Sequence, residues 1–258
     1  MTTAPLLVPD DPAPYELVNE SASTPYLLTC DHAGRVLPRR LGNLGLPESE
    51  LQRHIAWDLG AAGMSRALAR RLDAFLILQT YSRLVIDVNR PPGTPESIVQ
   101  LSERTEIPGN LNLTEDDKRA REHAVFTPYH QRIEAELARR ASTPAPLLLV
   151  SLHSFTPRFK DVDRRFHAGV LYGRDTRVGK LMLPFLQRET DLVVGDNEPY
   201  AVSDETDYTV VVHAERRGIP YVELEVRQDL LSTEEGQHEW AERLASALEH
   251  SFSVLFPA

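Results

Sequence analysis

Four sets of polar residues in this chain stand at the ends of separate apolar runs, and their types are those of hydrolytic chemistry. Asp31-His32 follows the run 26–30, and Asn89-Arg90 follows 83–88. Ser151-Leu152-His153-Ser154 ends 147–150, and Glu225-Val226-Arg227 ends 219–224. Histidine is the commonest zinc ligand, and a catalytic zinc keeps three protein ligands and one open position. A carboxylate beside such a metal takes a proton from water and passes it to a leaving amine. Arginine next to an amide donor holds a carboxylate through paired hydrogen bonds. The combination points to metal-assisted hydrolysis of a charged substrate.

Each residue also has a plainer reading. His32 or His153 alone fits a hydrogen-bonded structural histidine as well as a ligand, and it is their joint placement that favours metal. Asp58 and Asp31 are both available as a third ligand. His54 precedes Asp58 by one helical turn if that stretch is helical. Glu223, Glu225 and Arg227 alternate on one strand face and would serve equally as an exposed charge ladder. Beside two zinc histidines, Glu225 and Arg227 become the candidate catalytic pair. Asn89 and Arg90 are the candidate carboxylate clamp, with a structural salt bridge as the alternative. Arg83 either pairs with Asp87 or meets a second carboxylate. The segments 195–200 and 204–208 supply Asp196 and Tyr208 as further substrate contacts, or form a self-capped loop.

To bring these groups together the chain needs a sheet with ligands at its carboxyl edge. Runs at 26–30, 74–79, 83–88, 146–152, 168–172, 192–195 and 219–226 read as strands of an α/β protein with a mixed, mostly parallel sheet. Apolar spacing by three and four predicts a helix over 48–72. A second spans about 114–140, with a Thr114–Asp117 capping box and a break or restart at Pro128. Shorter patterns predict helices at 176–188 and 235–251, the last capped by Ser232. The Pro-rich residues 1–24 read as an irregular segment before a single domain, 25–258. The connections 91–113 and 196–213 read as functional loops.

A formal charge of −10, from 28 basic and 38 acidic residues, with no basic block, argues against nucleic acid as a partner. No stretch approaches the ~20 apolar residues of a membrane span, and the first ten residues lack the features of a signal peptide. Cys30, the single cysteine, excludes an intramolecular disulfide and fits a reducing, cytoplasmic setting. Its place inside an apolar run reads as a buried strand thiol.

From about Leu27 to Gln228 the chain resembles the N-formylglutamate amidohydrolase family. The resemblance is carried by Asp31-His-Ala-Gly34, His54-Ile-Ala-Trp-Asp58, Tyr81-Ser-Arg-Leu-Val-Ile-Asp-Val-Asn-Arg90, Pro128-Tyr-His130, Ser151-Leu-His-Ser154, Gly195-Asp-Asn-Glu-Pro-Tyr200 and Glu225-Val-Arg227. The same pieces are distantly similar to zinc carboxypeptidases. Those resemblances imply a three-layer αβα sandwich and one zinc per chain, held by His32 and His153. They also imply a carboxylate clamp at Asn89 and Arg90, and Glu225 as base and acid. Carboxypeptidases place the middle ligand three residues after the first histidine, where this chain has Arg35; Asp58 is the substitute. The expected activity is hydrolysis of a small anionic N-acyl amino acid, first N-formyl-L-glutamate. A carboxypeptidase-like peptidase and a metal-free carboxylate-binding protein are the alternatives.

Overall fold

Apolar side chains alternate along neighbouring strands, and that alternation builds a core on each face of one sheet. The computed structural model describes residues 5–142 and 145–257. Its strands are β1 (Tyr15–Val18), β2 (Tyr26–Cys30), β3 (Phe75–Gln79), β4 (Leu101–Ser102), β5 (Thr105–Glu106), β6 (Leu148–Phe155), β7 (Arg158–Phe159), β8 (Val162–Asp163), β9 (Ala168–Leu171), β10 (Val194–Asp196) and β11 (Tyr221–Arg227). Its α-helices are α1 (Glu48–Leu51), α2 (Ala61–Leu72), α3 (Glu115–Arg121), α4 (Thr127–Ala141), α5 (Gly179–Leu186), α6 (Thr209–His213) and α7 (Glu234–Leu255).

The main sheet has seven strands in the order β1-β3-β2-β6-β11-β9-β10. Strands β3, β2, β6 and β11 are mutually parallel, β1 is antiparallel to β3, and β9 is antiparallel to β11. Leu28, Val150 and Leu224 face one core with side chains of α2, α5 and α7. Leu27, Leu149 and Tyr221 face the other with α4 and α6. The result is a three-layer αβα sandwich around a mixed, mostly parallel sheet. On the second face the strands start apolar and turn polar toward their carboxyl ends, where Thr29, Ser151, His153, Glu223 and Glu225 are all buried. No helix among the described residues is long and apolar enough to cross a membrane.

Four expectations are corrected. Residues 83–88 are not a strand. Leu84, Val85, Ile86 and Val88 are buried as expected, yet the carbonyls of Leu84, Val85 and Val88 bond side chains instead of a neighbouring strand. Leu84 O accepts from Asn110 Nδ2 at 2.9 Å, Val85 O from Arg121 Nη1 at 2.9 Å, and Val88 O from His130 Nε2 at 2.8 Å. An apolar run signals burial, and only pairing makes a strand.

The expected helix over 48–72 is two helices. α1 stops at Leu51, and α2 begins after Gly60, whose φ of +78° suits glycine and whose missing Cβ leaves room for Leu231. Between them the Asp58 N–H bonds the His32 carbonyl at 2.9 Å, which ties the loop to the end of β2. Residues 15–18, expected to be irregular, form the antiparallel edge strand β1; residues 1–4 of that segment lie outside the described residues. Thr233, not Ser232, caps α7, accepting from Gly236 N at 3.1 Å. The Thr114–Asp117 capping box is present on α3. A wide π-turn at Glu122–Phe126 precedes Pro128 and joins α3 to α4 without ending the helical path.

Candidate active site

Because β2, β6 and β11 are adjacent and parallel, His32, His153 and Glu225 arrive at one edge of the sheet. His153 and Glu225 are register partners on neighbouring strands. With Asp58, all three line a cavity of about 310 Å³. His32 Nδ1, His153 Nδ1 and Asp58 Oδ2 form a triangle with sides of 3.2, 3.1 and 3.4 Å. Zinc bonds of about 2.0–2.1 Å set neighbouring tetrahedral ligands roughly 3.3 Å apart, so the triangle has the dimensions of a zinc-ligand face.

The outer nitrogens of both rings are occupied in a way that turns lone pairs inward. His32 Nε2 donates to Asp87 Oδ1 at 2.7 Å, because a carboxylate only accepts. His153 Nε2 lies 3.0 Å from Ser151 Oγ, which in turn reaches Asp31 Oδ2 at 3.4 Å. Ser151 donates to Asp31 and accepts from His153, so in the neutral ring His153 Nδ1 is bare like His32 Nδ1. Two imidazole lone pairs and a carboxylate oxygen therefore converge, and a divalent cation is the group this donor set fits. Carboxylates behind ligating histidines are the usual orienting arrangement for such a metal.

The electrostatics agree. Burial opposes ionisation of Asp58, yet the His32 and His153 rings hold its carboxyl far below the usual range. Burial likewise opposes charge on His153, but Asp31 and Asp58 outweigh it and raise the imidazole well above its ordinary value. The centre is thus cation-seeking. Burial pushes Glu225 up to about 7, with His153 and His32 working the other way.

Asp87 also accepts from Arg83 Nε and Nη2 at 3.0 and 2.6 Å, which commits that guanidinium to holding Asp87. Replacing Asp87 with asparagine is expected to weaken binding of a divalent metal at this candidate site by about 10–100-fold, because His32 loses the charge that fixes its ring. Competition against a chromophoric chelator measures this, and an unchanged affinity would show that His32 is oriented without Asp87.

The remaining sequence candidates divide. Arg90 lines the cavity, and its Nη1 donates to the carbonyls of Asn89 and Thr206. Asn89 lines it too. Its Oδ1 accepts from the Tyr208 and Thr209 N–H groups at 3.0 and 2.9 Å, and its Nδ2 donates to Asp207 at 3.3 Å. Asn89 therefore holds the start of α6, and one of the two Nδ2 hydrogens is left over as a donor in the cavity. Asp196 and Tyr208 are not among the cavity's lining residues. Asp196 accepts from the Tyr172 hydroxyl at 2.5 Å, and the Tyr208 ring packs on Phe126 and His130. Arg227 turns away, donating to Asp229 at 2.8 Å and to the carbonyls of Arg164 and Phe166. His54 approaches Glu103, not Asp58, and Arg35 pairs with Glu48 at the surface. Cys30 is buried and free, as expected.

From the segments 195–200 and 204–208, expected to touch substrate, it is Tyr200 and Asp207 that line the cavity, in place of the Asp196 and Tyr208 singled out within them. Sequence reasoning missed Glu223 as a cavity residue, although its alternation with Glu225 made it legible. It also missed a buried pair beneath the site. His130 Nε2 donates to the Val88 carbonyl, so its Nδ1 accepts from His213 Nε2 at 2.9 Å. Burial pushes His130 down to about 4 and His213 to about 3. Below pH ~6.5 the unfolded chain binds protons that these folded histidines refuse, so stability falls as pH drops toward 4. The expected loss at pH 5 is on the order of 2 kcal/mol per histidine. Urea unfolding of wild type and His213→Asn at pH 7 and 5 checks it: the variant should show a shallower pH dependence, and parallel curves would reject the assignment.

A parallel-sheet edge carrying two histidines, a buried carboxylate ligand candidate and a second, poised carboxyl defines a hydrolase of the αβα class. The family model described as N-formylglutamate amidohydrolase matches residues 24–232, and the chain belongs to that family. Among solved structures, a gene product of Agrobacterium tumefaciens is 33% identical, covering 97% of this chain and 99% of that one, with a TM-score of 0.94. An N-formylglutamate amidohydrolase from Ralstonia eutropha shares the fold at a TM-score of 0.66 and 20% identity, over 94% and 98% of the two chains. A metallo-carboxypeptidase from Burkholderia cenocepacia aligns over 92% of this chain and 59% of that one, at 11% identity and a TM-score of 0.38, a likeness too slight to argue from. No curated protein sequence matches the chain.

Proposed function

We propose that this chain is a zinc-dependent amidohydrolase that cleaves the amide of a small anionic N-acyl amino acid, with N-formyl-L-glutamate as its substrate and formate and glutamate as products. The observation that carries the reading is the triangle of His32, His153 and Asp58 donors beside Glu225, whose Oε2 is buried without a hydrogen-bond partner among the described residues. These three residues would hold one zinc ion, which when bound supplies a Lewis acid and lowers the pKa of a water toward ~7.

Glu225 takes the proton of the attacking water as the new C–O bond forms. It returns that proton to the nitrogen as the C–N bond breaks, so the amine leaves neutral and the carboxylate is regenerated. Its upward-shifted pKa suits both halves of this exchange. Arg90 lines the cavity, and its guanidinium N–H groups beyond Nη1 would take a substrate carboxylate. Asn89 serves that contact indirectly, by fixing the 206–209 segment against Arg90. The single buried cysteine is in keeping with a cytoplasmic setting.

The test is release of glutamate from N-formyl-L-glutamate by zinc-loaded protein, before and after chelation. Turnover that is lost on chelation and restored by zinc supports the proposal. Turnover that survives chelation rejects the metal, and one bound equivalent of zinc without turnover rejects this substrate.

A further inference from the structure

Glu223 is a buried carboxyl that the reaction leaves without a task. It is 3% exposed, lines the cavity, and its Oε2 has no hydrogen-bond partner among the described residues. The polar groups nearest to it are already engaged. Ser151, its register partner on β6, serves Asp31 and His153. Asp207 accepts from Asn89 Nδ2, Ser203 N and Thr206 Oγ1. Leu171, its partner on β9, offers no side-chain polar group. A buried carboxyl with no partner is costly, and its exposure to a ligand cavity accounts for its retention.

Position along the strand says which part of a substrate Glu223 meets. It lies two residues before Glu225 on the same face of β11, about 7 Å farther from the carboxyl edge. Arg83, Arg90 and Tyr200 line both this cavity and a second one that Glu223 does not border. Since Arg83 holds Asp87, Arg90 is the cation at that shared boundary that suits a carboxylate of the amino acid. The acyl group then points inward, past Glu225, toward Glu223.

We propose that Glu223 reads the acyl group, favouring an acyl that carries an N–H donor, such as a carbamoyl, and disfavouring one that presses a hydrocarbon against the carboxyl. A carbamoyl NH2 gives Glu223 the partner it lacks. A formyl group is small enough to leave it hydrated. An acetyl methyl strips the water and offers nothing in return. This rests on the amidohydrolase reading of the same site and narrows its substrate class.

The experiment compares kcat/KM for N-carbamoyl-, N-formyl- and N-acetyl-L-glutamate in wild type, Glu223→Leu and Glu223→Gln. Ratios between substrates are read, so loss of overall activity does not mimic the effect. Wild type should prefer carbamoyl and formyl over acetyl, and in Glu223→Leu the carbamoyl-to-acetyl ratio should fall by at least about 30-fold, as expected when a hydrogen-bonding pocket becomes hydrocarbon. Glu223→Gln, which keeps shape and an acceptor, should lie between. A ratio within about 3-fold of wild type in Glu223→Leu overturns the proposal, and if that variant does not fold, an unchanged ratio in Glu223→Gln does so. If wild type hydrolyses none of the three, the reaction reading fails separately. Dissociation constants of the same compounds for the zinc-loaded proteins then decide Glu223 by the same ratio.

Discussion

Glutamine in place of Glu225 should lower kcat by about 10²–10⁴-fold while leaving zinc stoichiometry intact and KM within a few-fold of wild type, the range general acid–base catalysis supplies. The side chain is 7% exposed and its Oε2 has no hydrogen-bond partner among the described residues, so glutamine there breaks no bond of that oxygen. Glutamine preserves volume and fills the same space without the proton exchange. The proton exchange of a buried carboxyl is the property lost, because an amide neither accepts the water's proton nor returns it to the amine. A steady-state assay with metal analysis on the same sample separates the possibilities. Turnover within threefold of wild type would remove Glu225 from the chemistry, and lost zinc would make it a ligand.

Alanine at His153 should abolish zinc binding at one equivalent and reduce turnover by on the order of 10⁴-fold or more, since the acidified water is then lost. His153 supplies one corner of the triangle and also links it to Ser151 and Asp31. Asp58→Asn is the companion variant. It keeps the side chain's size and its position at the end of the 52–60 loop but removes the charge, so it should lose zinc affinity with little change in fold. Zinc bound at full stoichiometry in both variants would place the metal elsewhere. Full turnover in a metal-free His153→Ala protein would reject metal chemistry altogether.

Much of the fold was legible because burial and period are local properties. The runs at 26–30, 168–172 and 219–226 became strands with shifts of a residue or two, and the apolar spacing of 61–72 became α2. The capping box at Thr114 was legible for the same reason, since a cap is written in four consecutive residues. The segment 83–88 misled because a wholly apolar run says only that its side chains are inside. Whether its carbonyls meet a strand or the side chains of Asn110, Arg121 and His130 depends on residues 20 to 50 positions away. The helix over 48–72 failed similarly: its period continues through 52–60, but the backbone bond from Asp58 to His32 is a tertiary contact that local propensity does not contain.

The residue types alone determined the class of chemistry: two histidines, a glutamate and arginines placed after apolar runs, on an α/β chain whose strand ends converge. They left Asp58 and Asp31 both open as a third ligand, and it was the resemblance to carboxypeptidases, with Arg35 where a ligand was expected, that pointed to Asp58. Only the tertiary structure decided which groups are free to act. It turned both Nδ1 atoms inward by placing Asp87 and Ser151 behind the rings, set Asn89 to hold the start of α6, and sent Arg227 to the carbonyls of 164 and 166. It left Glu223 and Glu225 each with an oxygen that has no hydrogen-bond partner among the described residues. A hydrogen-bonding group has few valences, and which partners use them up is settled by neighbours in space, far apart along the chain.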